Sequence, residues 1–439
     1  MTRKRLWWLL SLVTAGWPSK ALAAESGVTS SLVPADMAFV AIATMLVFFM
    51  TPALGIFYGG MVKRKNVLNT MMMSLVAISV VGLQWFLFGY SLSFTDSGSP
   101  YLGNLDWALF KGVGLTAEPG LSLVIPHMEF AVFMMMFAIV TAAIISGSIV
   151  ERVGFGAYCI IIFLWTTIVY DPMCHMVWGQ GGLLLDMGAL DFAGGTAIHI
   201  TSGVSALTAT VMLGKRYWYG SGSTRPHNMP YVIFGASFLW MGWFAFNGGC
   251  ALGANEIMVL ALLNTAISSM AGALTWLIID QMTHGKTTVF GFVTGALAGL
   301  VGITPGAGFV APISAIPIGI ITCVVCYLAI TKLKEGLGYD DSLDPFGCHG
   351  VGGMVGCMLT GVFATTSVNP EGADGLLYGN PSLMVPQTVG LVIAIVMAVV
   401  GTALIIKLVG SVMSIRVSPE AEKGGLDINL HSETAYSKM

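Results

Sequence analysis

Ten stretches of this chain run without an acidic or basic side chain: 37–62, 66–95, 130–150, 153–170, 192–214, 229–254, 257–279, 287–331, 345–370 and 375–406. A helix crossing a hydrocarbon layer of ~30 Å needs about 20 apolar residues. In lipid the backbone must satisfy its own hydrogen bonds, which a helix does internally. The run 287–331 is long enough for two crossings. It is interrupted by "TPGAGFVAP" at 304–312, where proline and glycine break a helix. Splitting it gives 11 transmembrane helices. Only 9% of residues are charged, against about 25% in a soluble domain, too few to cover a water-facing surface. The expected fold is an all-α polytopic membrane protein.

The basic residues test this count, because cytoplasmic loops collect Lys and Arg. With the N-terminus outside, 11 crossings leave the C-terminus inside. Loops on the inner side then carry Lys63, Arg64, Lys65, Arg152, Lys215, Arg216, Arg225, Lys286, Lys332 and Lys334. The last helix end and the tail add Lys407, Arg416, Lys423 and Lys438. Outer loops carry Lys111 alone. A different number of crossings would scramble this segregation. No basic stripe of the kind nucleic acid requires is present.

The N-terminus, "MTRKRLWWLLSLVTAGWPSKALAAESG", has basic residues, a short apolar stretch and the small-residue site "ALA". It is read as a signal peptide, residues 1–24, that leaves the mature N-terminus outside. The transport domain is placed at 25–410 and a cytoplasmic tail at 411–439, whose mixed composition leads to the expectation that it docks on the cytoplasmic face, touching loops such as 63–66 and 332–344. The halves echo each other: "GIFYGGMV" (55–62) ends the first helix and "WFAFNGGCA" (243–251) the sixth. Five helices against five, an odd number, implies an inverted repeat with a narrow path near the midplane. The eleventh helix stands outside it.

Two histidines open apolar stretches at matching places in the halves. His199 follows "DFAGGTAI" and His349 follows "DPFGC". Ionisable residues at membrane depth are costly and mark pathways. A metal site would need three or four convergent ligands, and His175 and Cys348 show no supporting spacing. The "CVVC" at 323–326 reads as buried small residues. Asp191 precedes the fifth helix, where a carboxylate accepts backbone N–H bonds and attracts a cation. Phe133 and Phe137 lie one turn apart, Phe246 ends the sixth helix, and Trp178 is expected in an outer loop. Glycine at small-xxx-small spacing, as in "GGMVG" (352–356), allows close helix packing and suits a narrow, dry pore. A neutral gas or urea channel would share that pore but need no cation site. A hydrolase would need a nucleophile–base pair, and a sensor a larger cytoplasmic domain.

The segments "GIFYGGMVKRKNVLN" (55–69), "HMVWG" (175–179), "GALDFAGGTAIHI" (188–200), "GWFAFNGG" (242–249), "VGITPGAG" (301–308), "DPFGCHGVGG" (344–353) and "GLDINLHSETAY" (425–436) together resemble the Amt/Mep/Rh ammonium transporter family, its bacterial Amt branch most of all. The resemblance runs from the first helix to the tail. It implies ammonium transport, with no cofactor, by a homotrimer in the inner (cytoplasmic) membrane with one pore per subunit. It implies an outer ammonium site at Trp178 with Asp191, and a gate of Phe137 and Phe246. His199 and His349 would be a hydrogen-bonded pair lining the pore, and a PII-type signalling protein a partner at the cytoplasmic face. Cys250 stands where many members have serine, and a thiol is the weaker hydrogen-bonding group.

Overall fold

The structure, a computed structural model, describes residues 32–220 and 226–436. The expected signal peptide, Arg225 and Lys438 lie outside the described residues. Among the described residues, eleven apolar helices form the body: α1 Pro34–Met61, α2 Arg64–Phe94, α3 His127–Ile149, α4 Phe155–Asp186, α5 Gly195–Leu213, α6 Met229–Gly249, α7 Glu256–His284, α8 Val289–Ile303, α9 Pro312–Leu337, α10 Phe346–Phe363 and α11 Pro381–Val412. Ten are long and apolar enough to cross a membrane, and α8, with 15 residues, is shorter. The chain leaves α8 at Thr304 and re-enters a helix at Pro312, so the Pro/Gly interruption divides the long run. No strand is present among the described residues.

The central helix is α3, the most completely buried of the crossings. The first helix of each half, α1 and α6, pack along one another, and α11 packs on α5. The fifth helix of each half, α5 and α10, cross with their backbones in contact. A Cβ on Gly203 would fall on the backbone N and Cα of Gly350. One on Gly353 would sit 2.8 Å from the Gly195 carbonyl oxygen and 3.0 Å from His199 Cβ. Only glycine permits this approach. Both helices also open in a π-helical turn, Gly195–Ile200 and Phe346–Gly350, a widening frequent at functional sites. Each turn carries one of the two histidines.

Cations of the expected inner loops gather at one end of the bundle. Arg216 pairs with Asp340 at 2.7 Å and Glu151 at 2.6 Å. Arg152, fully buried, reaches Asp340 at 3.4 Å, and burial pulls its guanidinium down to about 10. Lys111 lies in the loop between α2 and α3, at the opposite end.

Helix α11 runs to Val412, past the expected start of the tail. The tail carries two short helices, α12 Pro419–Gly424 and α13 Leu426–His431. Leu426 N–H donates to Asn66 Oδ1 at 2.8 Å, Asn69 N–H to Asp427 Oδ1 at 2.9 Å, and the Tyr436 hydroxyl meets His227 Nε2 at 2.8 Å. Contact with 63–66 was expected. The other hydrogen bonds go to Arg152, Gly154, Leu213, Lys215 and Tyr217, while 332–344 was the other loop expected. The tail closes on short connections beside its own origin.

Candidate pore and outer site

Trp178 ends the helical segment Asp171–Trp178 of α4 and does not lie in an outer loop. Its indole N–H donates to the Asp191 carbonyl oxygen at 2.8 Å. The Asp191 carboxylate accepts four backbone N–H bonds, from Gly194, Gly195, Thr196 and Ala197, at 2.9, 2.6, 2.8 and 3.1 Å. This satisfies the donors that a helix start leaves unpaired. One residue thus holds the indole through its backbone and the π-helical turn of α5 through its side chain. Burial pushes its carboxyl up, and the four donors offset part of that shift.

Phe133 and Phe137 of α3 meet edge to face, ring centroids 4.9 Å apart. Phe137 stacks on Phe246 of α6 at 4.3 Å. All three are fully buried. Cys250 caps α6, and its thiol donates to the Phe246 carbonyl oxygen at 3.3 Å. Beneath the stacked rings, His199 and His349 approach with Nδ1 atoms 3.2 Å apart. Such a bond requires one Nδ1 to donate and the other to accept, so neutral rings carry opposite tautomers. His199 Nε2 is buried without a partner.

A cavity of about 20 Å³ lies between Phe246 and the histidines, walled by Leu54, Trp243 and Leu297. A second, of about 40 Å³, shares Phe57, Leu297 and His349 with it and extends to Tyr58 and Asp344. Asp344 borders a third, about 510 Å³, open at the cation-rich end with Lys63, Arg216 and Lys334. A water-sized molecule needs roughly 10–15 Å³ by this kind of measure, so the first two spaces hold one to a few such molecules in file.

Two residues of this arrangement were not singled out from sequence. Trp243 stacks on His199 at 5.4 Å and faces His349 at 6.4 Å, its N–H held by Thr304 Oγ1 at 2.9 Å. It lies one turn before Phe246, a spacing that puts both on one helix face. Asp341 is the counterpart of Asp191: each precedes its histidine by eight positions. Its carboxylate accepts from Phe346 N–H at 3.0 Å and Ser148 Oγ at 2.5 Å. Burial, with Asp344 nearby, pushes it up to about 6. That shared spacing was the available signal. His175, weighed as a metal ligand, is held by the Ser93 and Ser99 carbonyl oxygens at 3.2 and 3.0 Å.

The family model for the Ammonium Transporter Family matches residues 38–436. An ammonium transporter of Bacillus subtilis (strain 168) is 47% identical over 402 residues, 91% of this chain and 98% of its own. The crystal structure of Saccharomyces cerevisiae Mep2 aligns with a TM-score of 0.83 at 35% identity, covering 89% of each chain. The structure of a sensor Amt protein aligns with a TM-score of 0.83 at 29% identity, covering 90% of this chain and 98% of that one. This multi-pass membrane protein, a transporter and not an enzyme, belongs to the ammonium transporter family.

Proposed function

We propose that ammonium is recruited at the outer face by Trp178 and Asp191, loses its proton at the Phe137–Phe246 gate, and passes as ammonia along His199 and His349. The observation that carries this reading is the histidine pair, 3.2 Å apart, directly beneath a closed aromatic stack. Carrying the bare ion into such surroundings costs on the order of tens of kcal/mol. Ammonium titrates about two units above neutrality, so shedding the proton costs about 3 kcal/mol. Deprotonation is the cheaper route by a wide margin. Potassium has no proton to shed and is refused without any measurement of its radius. Ammonia then needs a donor and an acceptor in the file, which neutral imidazoles supply. A face-on indole contributes about 0.5–2 kcal/mol to holding the cation, and Phe133 and Cys250 complete the outer site.

The protein works as a homotrimer in the inner (cytoplasmic) membrane, with its mature N-terminus outside and its tail in the cytoplasm. A PII-type signalling protein regulates it from the face where the tail docks. A second reading, ammonium sensing with residual transport, draws on the likeness to a sensor Amt protein. A neutral gas channel is disfavoured, since the Trp178–Asp191 unit would then have no cation to serve.

Currents on solid-supported membranes separate these readings. Ammonium and methylammonium should evoke them and potassium should not, while His199→Asp and His349→Glu admit potassium. Equal exclusion of potassium by both variants would sink the dry-pore mechanism. Ammonium binding with negligible flux would favour the sensor.

A further inference from the structure

A carboxyl group is buried inside the bundle away from the three cavities. Asp171 of α4 has no exposed surface and borders none of them. Two helices widen around it. Helix α2 contains a π-helical stretch, Trp85–Gly89, that begins just after Gln84. Helix α4 contains another, Thr166–Tyr170, that ends just before Asp171. Pro172 follows and brings no N–H, which favours the local departure from α-geometry.

Gln84 Nε2 donates to Asp171 Oδ2 at 2.6 Å and lies 3.1 Å from Thr167 Oγ1. Around this bond four polar atoms are buried without a well-formed hydrogen bond: Asp171 Oδ1, Gln84 Oε1, Ser93 Oγ and Tyr170 Oη. The Ser93 and Tyr170 hydroxyls both face the Cys174 thiol, one turn along α4. Among the described residues, no Lys, Arg or His forms an ion pair with Asp171.

The charge balance decides what such a group can be. Even after relaxation, a buried carboxylate costs several kcal/mol, and removing its charge is the usual resolution. One amide donor, with the Ser93 hydroxyl turned toward the carboxyl, does not offset that cost. Bound water would pair the orphaned atoms but leave the charge in place. A proton removes the charge, needs no cavity, and turns one carboxyl oxygen into a donor among unpartnered acceptors.

We infer that Asp171, Gln84, Ser93 and Tyr170 form an intramembrane proton-binding site, separate from the ammonia path, whose resident proton neutralises the carboxylate. Asp171 lies seven residues before Trp178, about 10 Å along the same helix face. A neutral Asp171 therefore adds no second buried anion beneath the outer site. The inference stands on this cluster alone and not on the pore mechanism.

Infrared spectroscopy of the full-length protein in neutral-lipid vesicles tests it. At pH 7 the spectrum of the wild type minus that of Asp171→Asn should contain a carboxylic acid C=O band that shifts in deuterated water. Asp171→Glu should move that band, and Gln84→Ala should shift it without abolishing it, so the test survives if one variant fails to fold. Carboxylate bands in the difference spectrum, in place of the acid band, would overturn the proposal. So would an acid band that shrinks when sodium, potassium or ammonium is raised at constant pH, which would make the occupant a larger cation.

Discussion

Gly203→Ala puts one methyl group where α5 and α10 touch. The added carbon would fall on the backbone N and Cα of Gly350 and lie 3.1 Å from the His349 carbonyl carbon. Non-bonded carbons settle at about 3.5–4.0 Å. Backbone cannot rotate aside as a side chain can, so the two helices must separate by roughly 1 Å. Each carries one histidine, and their Nδ1 atoms start 3.2 Å apart. A contact stretched to about 3.6 Å is no longer a hydrogen bond, so a displacement of less than half that size breaks the pair. Overpacking of this kind costs about 1–3 kcal/mol, less than the roughly 5–15 kcal/mol that holds a protein folded. The variant should therefore fold, melt a few degrees lower, and lose transport by about tenfold or more, as small misplacements at a working site do. Gly156→Ala is the control, because a Cβ there meets nothing within 4 Å. Ammonium-evoked currents from proteoliposomes and thermal melting in detergent read the two effects. Wild-type current and wild-type melting in Gly203→Ala would show that the helices do not cross backbone to backbone.

Asp191→Ala strips partners from four buried N–H groups, each worth about 1–3 kcal/mol when orphaned. Uptake should vanish in it and survive in part in Asp191→Glu; full uptake in the alanine variant would remove Asp191 from the site. In Cys250→Ser a better hydrogen-bonding group, worth about 0.5–1.5 kcal/mol, should raise apparent ammonium affinity by no more than several-fold, while unchanged or weaker affinity would mean that the group does not face the ion. Asp341 is held up to about 6, so between about pH 4 and pH 6 the folded protein binds more protons than the unfolded chain and loses stability as pH rises. Melting curves of Asp341→Asn should show a shallower decline, with Asp191 and Asp171 supplying what remains, and a decline identical to wild type would assign it elsewhere. Deleting 417–439 should lower uptake and weaken a PII-type regulator while size-exclusion chromatography still reports a trimer; dissociation, or untouched uptake, would refute docking as the tail's role.

The number of crossings was legible because lipid imposes one blunt requirement, a long uncharged helix, and "TPGAGFVAP" marks the single place where a run had to be cut. The histidines stood out for the same reason, as ionisable groups in stretches that exclude charge. That logic also misled. Asp171 ended the uncharged run at 170, so the fourth helix was drawn too short and Trp178 was left in a loop. In the structure the carboxyl is enclosed by α2 and α4, and the helix continues through it. Trp243 and Asp341 were hidden differently. Nothing in a linear pattern distinguishes an indole stacked on an imidazole from one facing lipid, and Asp341 becomes visible only when the two halves are laid over each other. The tail's partners were half legible: its mixed composition signalled docking, but which loops lie beside the end of α11 depends on how the helices are arranged.

On the mechanism proposed above, the meeting of α5 and α10 also sets when the pore can come into being. Its two histidines are 150 residues apart in the chain, and the glycines that let their helices touch are divided in the same way. At about 5–20 residues per second, the ribosome needs roughly 8–30 seconds after His199 to supply His349. Through that interval the first half sits in the membrane with one histidine and no partner. A product ending between the halves lacks one wall of that path, because both small cavities are lined from both halves. On that mechanism the route for ammonia is complete only once the tenth helix arrives, so its opening is among the last events in the making of the chain.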